Sequence, residues 1–371
     1  MKRDYKRFKG AALMLTSCGL VLLFVALGAL QAQTPTRLQD MPPPPVMATP
    51  KPTPTPTPPE PADSEYEVVR VSSNLVVVPV SVTDSSGQSV MGLTATDFRL
   101  EEEGRLQEIA QLGDPEQLPL DIAILLDVSG SVDARFSFEK EAASRFIKQV
   151  LKPTDRATLF AIDKTPRLEL ARDTAERAAA RLISINAAKG PTAFYDTVIE
   201  AARYLGQSSP PQHRRVIVVI SDGEDNFSEK VKKAIGATRE EQNAVTAEAK
   251  TKIYDKVLLE VQREVQKAEV SFYSINPSGQ ALRLNVISQR AQNGMQQLAN
   301  ATGGNSFVPE RLENLETVFR QIAAELRSQY LLQYYAKDDQ PAGKFLRIRV
   351  TIPSRPQLRI RARQGYYAKQ K

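Results

Sequence analysis

The feature that most constrains the fold is a short, uninterrupted apolar run that ends in a carboxylate. Residues 122–126 are all apolar and lead directly into Asp127. A run of this length without alternation is typical of a strand buried on both faces, as in parallel sheets with helices on each side. Asp127, Ser129 and Ser131 then alternate across a loop that contains Gly130. The pattern predicts oxygen ligands at the carboxyl end of a central strand, where open α/β sheets bind their ligands.

Two later stretches extend this pattern. Residues 190–196 form a loop that contains Thr192 and opens a helix, and the apolar run 216–220 leads to Asp222. Oxygen donors without Cys or His suit a hard divalent cation such as Mg²⁺, Mn²⁺ or Ca²⁺. The alternative is that the polar residues after the first run only cap a helix and that Ser-Asp-Gly is an ordinary turn.

Together, the three stretches resemble the metal-ion-dependent adhesion site of the von Willebrand factor type A domain. The resemblance implies a divalent cation, Mg²⁺ with Mn²⁺ or Ca²⁺ as alternatives, held by Asp127, Ser129, Ser131, Thr192 and Asp222. It also implies an open coordination position that the Asp or Glu carboxylate of a partner protein completes. The residues expected around that contact are Gly130, Pro191, Glu224 and Asp225.

Strands and helices alternate after the apolar run, which predicts an α/β fold with a doubly wound, mostly parallel sheet. We expect this A domain to span residues 119–328. Residues 230–255 are rich in Glu, Lys, Ala and Gln and predict a helical insertion near the metal-bearing edge. The insertion either extends the binding surface or is a solvated helix without a role in recognition.

Flanking segments predict a second, smaller unit. Valines at period two in residues 65–113, and apolar residues that alternate with arginines in residues 329–367, indicate antiparallel strands. We expect residues 90–100 to form one of these strands. The N- and C-terminal strands are expected to form one small antiparallel β-sandwich into which the A domain is inserted. The arginines could bind a polyanion, but the pattern favours a solvated face, formed by Arg347, Arg349, Arg359, Arg361 and Arg363.

The N-terminal region predicts export. Residues 2–9 are basic and residues 11–30 are uncharged and mostly apolar, so residues 1–32 are either a cleaved signal peptide or an uncleaved membrane anchor. Residues 33–64 form a proline-rich linker, expected to be an extended spacer. We therefore expect a periplasmic or extracellular protein, and the anchor alternative implies attachment to the inner membrane through residues 11–30.

Charge and motifs exclude several function classes. The formal net charge is +6, but the first 32 residues contribute five basic residues and one acidic residue. The remainder carries little excess charge, which gives no support to nucleic-acid binding. The only histidine, His213, is expected to be a surface residue, and no G-x-S-x-G, P-loop or H-E-x-x-H motif is present. We expect no enzymatic activity.

Two functions follow from these observations. The favoured one is an exported, metal-dependent, adhesion-type module that captures an acidic residue of a partner protein. The alternative is a structural scaffold of the cell envelope whose A domain packs without needing metal. The sequence does not determine the oligomeric state or the identity of the partner.

Overall fold

The structure, a computed structural model, describes residues 74–129, 134–188, 190–236, 238–279, 285–337 and 340–368. The expected signal peptide or anchor, the proline-rich linker, Gly130 and Ser131 lie outside these residues. Among the helices of the described ranges, none has both the length and the apolar composition needed to cross a membrane.

The described part of the chain begins with antiparallel strands, namely β1 (Leu75–Thr83), β2 (Arg99–Glu102), β3 (Arg105–Gln107) and β4 (Gln111–Gly113). The prediction of a continuous strand over residues 90–100 was wrong, because Ala95–Asp97 form a 3₁₀ turn before β2. The Asp97 carboxylate accepts a hydrogen bond from the Thr94 backbone N–H at 2.8 Å. This local side-chain bond competes with strand pairing.

A six-stranded central sheet follows, built from β5 (Leu120–Asp127), β6 (Arg156–Ile162), β7 (Arg167–Asp173), β8 (Arg214–Ile220), β9 (Val270–Ile275) and β10 (Ser306–Phe307). The strand order is β10-β9-β8-β5-β6-β7. β5 pairs in parallel with both β6 and β8, whereas the edge strand β7 is antiparallel to β6. The predicted doubly wound, mostly parallel sheet is therefore confirmed.

Helices cover both faces of this sheet. They are α1 (Ala134–Val150), α2 (Ala175–Ser184), α3 (Phe194–Ser208), α4 (Glu229–Ile235), α5 (Arg239–Ala244), α6 (Ala247–Lys267), α7 (Val286–Thr302) and α8 (Leu315–Ser328). Ile122 and Ile124 pack into one core with α1, α2 and α8. Ala123 and Leu125 pack into a second core with α3, α6 and α7. The period of two in β5 thus places alternate side chains in two separate cores.

The segment between β8 and β9 contains three helices instead of one. Val257, Val261 and Val265 of α6 are buried in the core shared with α3 and α7. α6 therefore covers the sheet, as a helix of a doubly wound fold does. α4 also contributes Val231 and Ile235 to this core, and α5 is the remaining helix of the segment.

The remaining strands are β11 (Tyr330–Tyr335), β12 (Phe345–Thr351), β13 (Arg359–Ala362) and β14 (Gly365–Tyr367). They combine with β1–β4 into two four-stranded sheets, of order β13-β1-β11-β4 and β14-β12-β2-β3. These sheets enclose their own core, which contains Val78, Val80, Leu100, Leu332 and Tyr334. The predicted antiparallel sandwich of N- and C-terminal strands is confirmed.

A buried carboxylate joins the sandwich to the α/β domain that contains the central sheet. Glu325 of α8 accepts hydrogen bonds from the Ser81 hydroxyl at 2.9 Å, the Tyr273 hydroxyl at 3.0 Å and the Arg361 guanidinium at 2.5 Å. Ser81 and Arg361 belong to the sandwich, and Tyr273 belongs to the central sheet. One side chain therefore bonds to both units.

Two of the arginines predicted to face solvent instead face the α/β domain. Arg361 pairs with Glu325, and Arg363 lies 3.4 Å from Glu269. The prediction of a solvated face was wrong for these two residues, because the sequence does not show which strand end meets another unit. The arginines that are exposed as expected are Arg347, Arg349 and Arg359.

His213 is not the surface residue that was predicted. Its side chain is only 11% exposed, and its Nδ1 lies 3.3 Å from the buried Asp121 carboxylate. Arg172 also bonds to Asp121, at 2.9 Å. The three side chains form a structural cluster at the amino-terminal end of the sheet, because β5 begins at Leu120.

Candidate metal site

Adjacent strands bring the first group of site residues together. β5 and β8 run side by side with Leu126 opposite Ile220, so the residues that follow them meet at one edge of the sheet. The Ser221 hydroxyl donates to Asp127 Oδ2 at 2.7 Å. The backbone N–H and the hydroxyl of Ser129 donate to Asp127 Oδ1 at 3.0 and 2.6 Å. Both oxygens of this carboxylate are therefore held in place.

The loop that carries Thr192 is tied to the loop that follows β8. The Thr192 N–H donates to Asn226 Oδ1 at 2.7 Å, and its carbonyl accepts the N–H groups of Asn226 and Phe227 at 3.1 Å. The same stretch also reaches the loop after β5, because the Ala188 N–H donates to the Val128 carbonyl at 2.6 Å. Three loops thus share the carboxyl edge of the sheet.

Asp222 is half-buried at this edge, where its carboxylate accepts the Glu224 N–H at 3.0 Å. Burial raises the pKa of the Asp222 carboxyl, and the negative charges of Asp127 and Glu224 raise it further. Arg135 and the Glu224 N–H oppose this shift. Without a cation, the ionised form of the Asp222 carboxyl is therefore disfavoured, and a nearby cation would favour it.

The donor set at this edge suits a hard cation. Carboxylate and hydroxyl oxygens come from Asp127, Ser129 and Asp222, and these are the ligand types that Mg²⁺, Mn²⁺ and Ca²⁺ prefer. Within the part of the chain that the structure describes, no three Asp, Glu, His or Cys side chains cluster closely enough to hold a metal ion by themselves. A cation here would therefore depend on hydroxyl oxygens. The fifth predicted ligand, Ser131, and the neighbouring Gly130 lie outside the described residues.

Of the residues predicted to surround a partner contact, Asp225 does not fit that role. Its side chain is only 5% exposed. Its carboxylate accepts the N–H groups of Tyr195 at 2.8 Å and Ser228 at 3.1 Å, as well as the Ser228 hydroxyl. The expected contact between Asp225 and a partner therefore conflicts with its burial. This carboxylate instead holds the first turn of α3.

The other two described residues of that set are accessible. Pro191 and Glu224 are half-buried. Glu224 Oε1 accepts a hydrogen bond from the Ser288 hydroxyl of α7 at 2.5 Å. Glu224 thus links the loop after β8 to the first turn of α7.

Sequence reasoning missed three polar residues of this edge. Ser221 could have been found, because it directly follows a buried strand that neighbours the strand ending at Asp127. Asn226 and Ser228 had no comparable signal, because Asn226 bonds to Thr192 across two loops and Ser228 bonds to Asp225 within the loop after β8. Asn and Ser occur in most turns, so the residue types at positions 226 and 228 gave no signal.

The match to a protein family agrees with this fold. Residues 122–224 match the family model described as the von Willebrand factor type A domain. No match was found among curated proteins. A structure of an aerotolerance-related membrane protein from Bacteroides fragilis is 17% identical, with a TM-score of 0.39, and the match covers 56% of this chain and 98% of that chain.

Two further solved structures are similar. The PilB minor pilin from Streptococcus sanguinis is 13% identical with a TM-score of 0.43, and the match covers 57% of this chain and 62% of that chain. Proximal thread matrix protein 1 from the mussel byssus, with a zinc-occupied MIDAS motif, is 14% identical with a TM-score of 0.41; the coverage is 61% and 49%. At these identities and scores the likenesses carry no functional argument.

Proposed function

The chain contains a von Willebrand factor type A domain, and from this premise we propose that it is an exported, divalent-metal-dependent protein-binding module. The proposed metal ligands are Asp127, Ser129, Ser131, Thr192 and Asp222. The observation that best supports the proposal is geometric: β5 and β8 pair in parallel with Leu126 opposite Ile220, so Asp127 and Asp222 lie at the same edge of the sheet, where the Ser221 hydroxyl bonds to Asp127. The proposal assigns no catalytic activity to the chain.

Asp127 would anchor the site, because both of its oxygens are fixed by neighbouring hydroxyl groups. Ser129 donates its hydroxyl proton to Asp127, so the lone pairs of the Ser129 oxygen remain free to face a cation. Asp222 would supply the second carboxylate from β8. A bound cation would supply a Lewis-acidic position that accepts a carboxylate oxygen of the partner.

The same charges explain why binding would require metal. Without a cation, the negative charges of Asp127, Asp222 and Glu224 would repel an Asp or Glu side chain of a partner. A divalent cation would offset two of these three negative charges and would give the partner carboxylate a positive centre to bind. Mg²⁺ is the expected ion, and Mn²⁺ or Ca²⁺ would satisfy the same donor types.

Thermal unfolding of the metal-free full chain, with and without millimolar Mg²⁺, Mn²⁺ or Ca²⁺, tests the metal site. A ligand that binds only the native state stabilises it by about 2.7 kcal/mol at a concentration of 100 times its dissociation constant. We expect at least one ion to raise the melting temperature of the native sequence. Asp127→Ala should abolish this rise, whereas Asp255→Ala, at an exposed position of α6, should preserve it.

Two outcomes would contradict the proposal. An equal rise in Asp127→Ala would mean that the cation binds elsewhere on the chain. If none of the ions changes the unfolding of the native sequence, the alternative of an envelope scaffold that packs without metal would be favoured.

Export is tested separately from metal binding. We propose that residues 1–32 direct the chain out of the cytoplasm, either as a cleaved signal peptide or as an anchor in the inner membrane. Cell fractionation locates the protein, and mass spectrometry of its amino terminus distinguishes cleavage from anchoring. A cytoplasmic protein with an intact amino terminus would overturn this part of the proposal.

A further inference from the structure

A cavity of about 590 Å³ lies at the opposite end of the central sheet from the candidate metal site. Its lining includes Arg214 and Arg215 at the start of β8 and Val270 at the start of β9. β8 is seven residues long, so the cavity is about 20 Å from Asp222 at roughly 3.3 Å per residue. The cavity and the candidate metal site are therefore separate.

β1 gives the cavity an apolar wall, because both faces of this strand carry apolar side chains. Val76, Val78, Val80 and Val82 are buried in the sandwich core. Leu75, Val77 and Pro79 alternate with them and line the cavity. Leu75 is 41% exposed, which is high for a large apolar side chain in a strand. A ligand with hydrocarbon surface would cover this face.

Other residues around the cavity are basic. The cationic side chains that line it are Arg214, Arg215, Lys337 and Arg363, and Glu269 is the only acidic residue among the described lining residues. Glu269 lies 3.7 Å from Arg215 and 3.4 Å from Arg363. The single carboxylate of Glu269 therefore interacts with two guanidinium groups.

Arg214 adds a positive charge to the lining, offset only by carboxylates beyond ion-pair distance, which include Asp155, Glu116 and Asp114. Its guanidinium donates to the carbonyls of Leu326 and Pro115 at 2.8 and 3.0 Å and to Gln329 Oε1 at 3.4 Å. All three acceptors are neutral, and no carboxylate among the described residues lies within ion-pair distance of Arg214. Burial lowers the pKa of Arg214, as expected when a cation has lost much of its hydration.

We propose that this cavity binds a small organic anion with an apolar body, such as a medium-chain carboxylate. The anionic group would lie toward the basic residues, and the hydrocarbon part would lie along Leu75, Val77 and Pro79. The volume is within the range of cavities that bind small ligands. This proposal does not depend on the metal site.

Isothermal titration calorimetry on the full chain in lipid nanodiscs tests the proposal, with empty nanodiscs as the blank. The probe is octanoate, and octan-1-ol and inorganic phosphate separate the contributions of the charge and the hydrocarbon. We expect one octanoate per chain, bound at least tenfold more tightly than octan-1-ol or phosphate.

Substitutions locate the binding. Val77→Glu places a negative charge on the apolar wall and should weaken octanoate binding at least tenfold. Lys337→Glu, at an exposed position, should weaken it severalfold and keeps the test valid if Val77→Glu does not fold. Arg320→Gln changes an exposed arginine of α8 outside the cavity and should have no effect. Asp127→Ala should also bind octanoate normally.

Several results would overturn the proposal. Equal affinities for octanoate and octan-1-ol would exclude recognition of the charge. Equal affinities for octanoate and phosphate would exclude a role for the apolar wall. Octanoate binding that is unchanged in a folded Val77→Glu or Lys337→Glu protein would place the ligand elsewhere, and the absence of saturable binding would exclude the site.

Discussion

Replacement of Glu325 tests how the sandwich and the A domain are held together. This side chain is only 3% exposed and is hydrogen-bonded to Ser81, Tyr273 and Arg361. Glu325→Leu keeps a similar volume but removes all three acceptor interactions. The Tyr273 hydroxyl and the Arg361 guanidinium would then lose their acceptor between the two units.

The expected loss of stability follows from these contacts. Removal of one member of a buried ion pair costs about 3–5 kcal/mol, and an unsatisfied buried hydroxyl costs about 1–3 kcal/mol. The two contributions are not additive, because Arg361 is partly accessible to water, with 24% of its side chain exposed. We therefore expect Glu325→Leu to lower the free energy of unfolding by about 3–5 kcal/mol.

Equilibrium urea unfolding of the full chain, followed by circular dichroism, measures this change. Glu316→Gln is the matched control on the same helix, because Glu316 forms an exposed ion pair with Arg145 and its loss should cost less than about 1 kcal/mol. The double variant Glu325→Leu with Arg361→Leu should recover part of the lost stability, since it no longer leaves a partly buried cation unpaired. A loss below about 1 kcal/mol for Glu325→Leu would refute the reasoning.

Further outcomes are expected at three other positions. Because its pKa is raised, Asp222 keeps its proton to higher pH in the folded metal-free chain than in the unfolded chain. The contribution of Asp222 to the free energy of unfolding therefore falls as pH rises from the ordinary carboxyl range through the raised pKa. Asp222→Asn should remove this pH dependence, raise metal-free stability at pH 7 and abolish any metal-dependent rise in melting temperature. In Gly304→Ala the new Cβ would lie 2.0 Å from the Phe272 carbonyl oxygen, so thermal unfolding should show a loss of about 1–3 kcal/mol or more. Tyr334→Phe removes a 2.5 Å hydrogen bond to the buried Glu102 carboxylate and should lower the free energy of unfolding in urea by about 1–3 kcal/mol; an unchanged value would contradict this.

Local patterns were sufficient to predict the central sheet. The apolar run that ends at Asp127 became a strand buried on both faces, and the short segment that begins at Arg167 became an antiparallel edge strand. The first depends on the burial of its own residues, which the sequence records directly, whereas the edge strand contains no buried residue. The strand predicted over residues 90–100 failed, because the hydrogen bond between Thr94 and Asp97 stabilises a turn that apolar periodicity does not reveal.

Contacts between distant parts of the chain were not predictable in the same way. Glu325 and Arg361 are 36 residues apart, and Glu325 and Ser81 are 244 residues apart. Nothing in their sequence neighbourhoods indicates that they meet. The same holds for His213, which is near Asp121 only because β5 and β8 are adjacent.

The candidate metal site contains residues that could be placed from sequence and residues that could not. Asp127 and Asp222 could be placed together from sequence, because each follows an apolar run and parallel strands end at one edge of the sheet. Burial of Asp225 could not be predicted, because its carboxylate accepts the N–H of Tyr195, which is 30 residues away in the chain, as well as that of Ser228 in its own loop. A carboxylate close in sequence to a predicted metal ligand can therefore stabilise its own loop and not take part in binding.

The proposed metal site and the proposed anion cavity use opposite ends of β8. This strand is paired along its length with β5 on one side and β9 on the other, and the residues from Val216 to Ile220 are buried. A shift of β8 along its axis would break the backbone bonds on both sides. Since the two sites are also about 20 Å apart, changes at Asp127 and Val77 should affect stability independently. Their effects in a double variant should add to within about 0.5 kcal/mol.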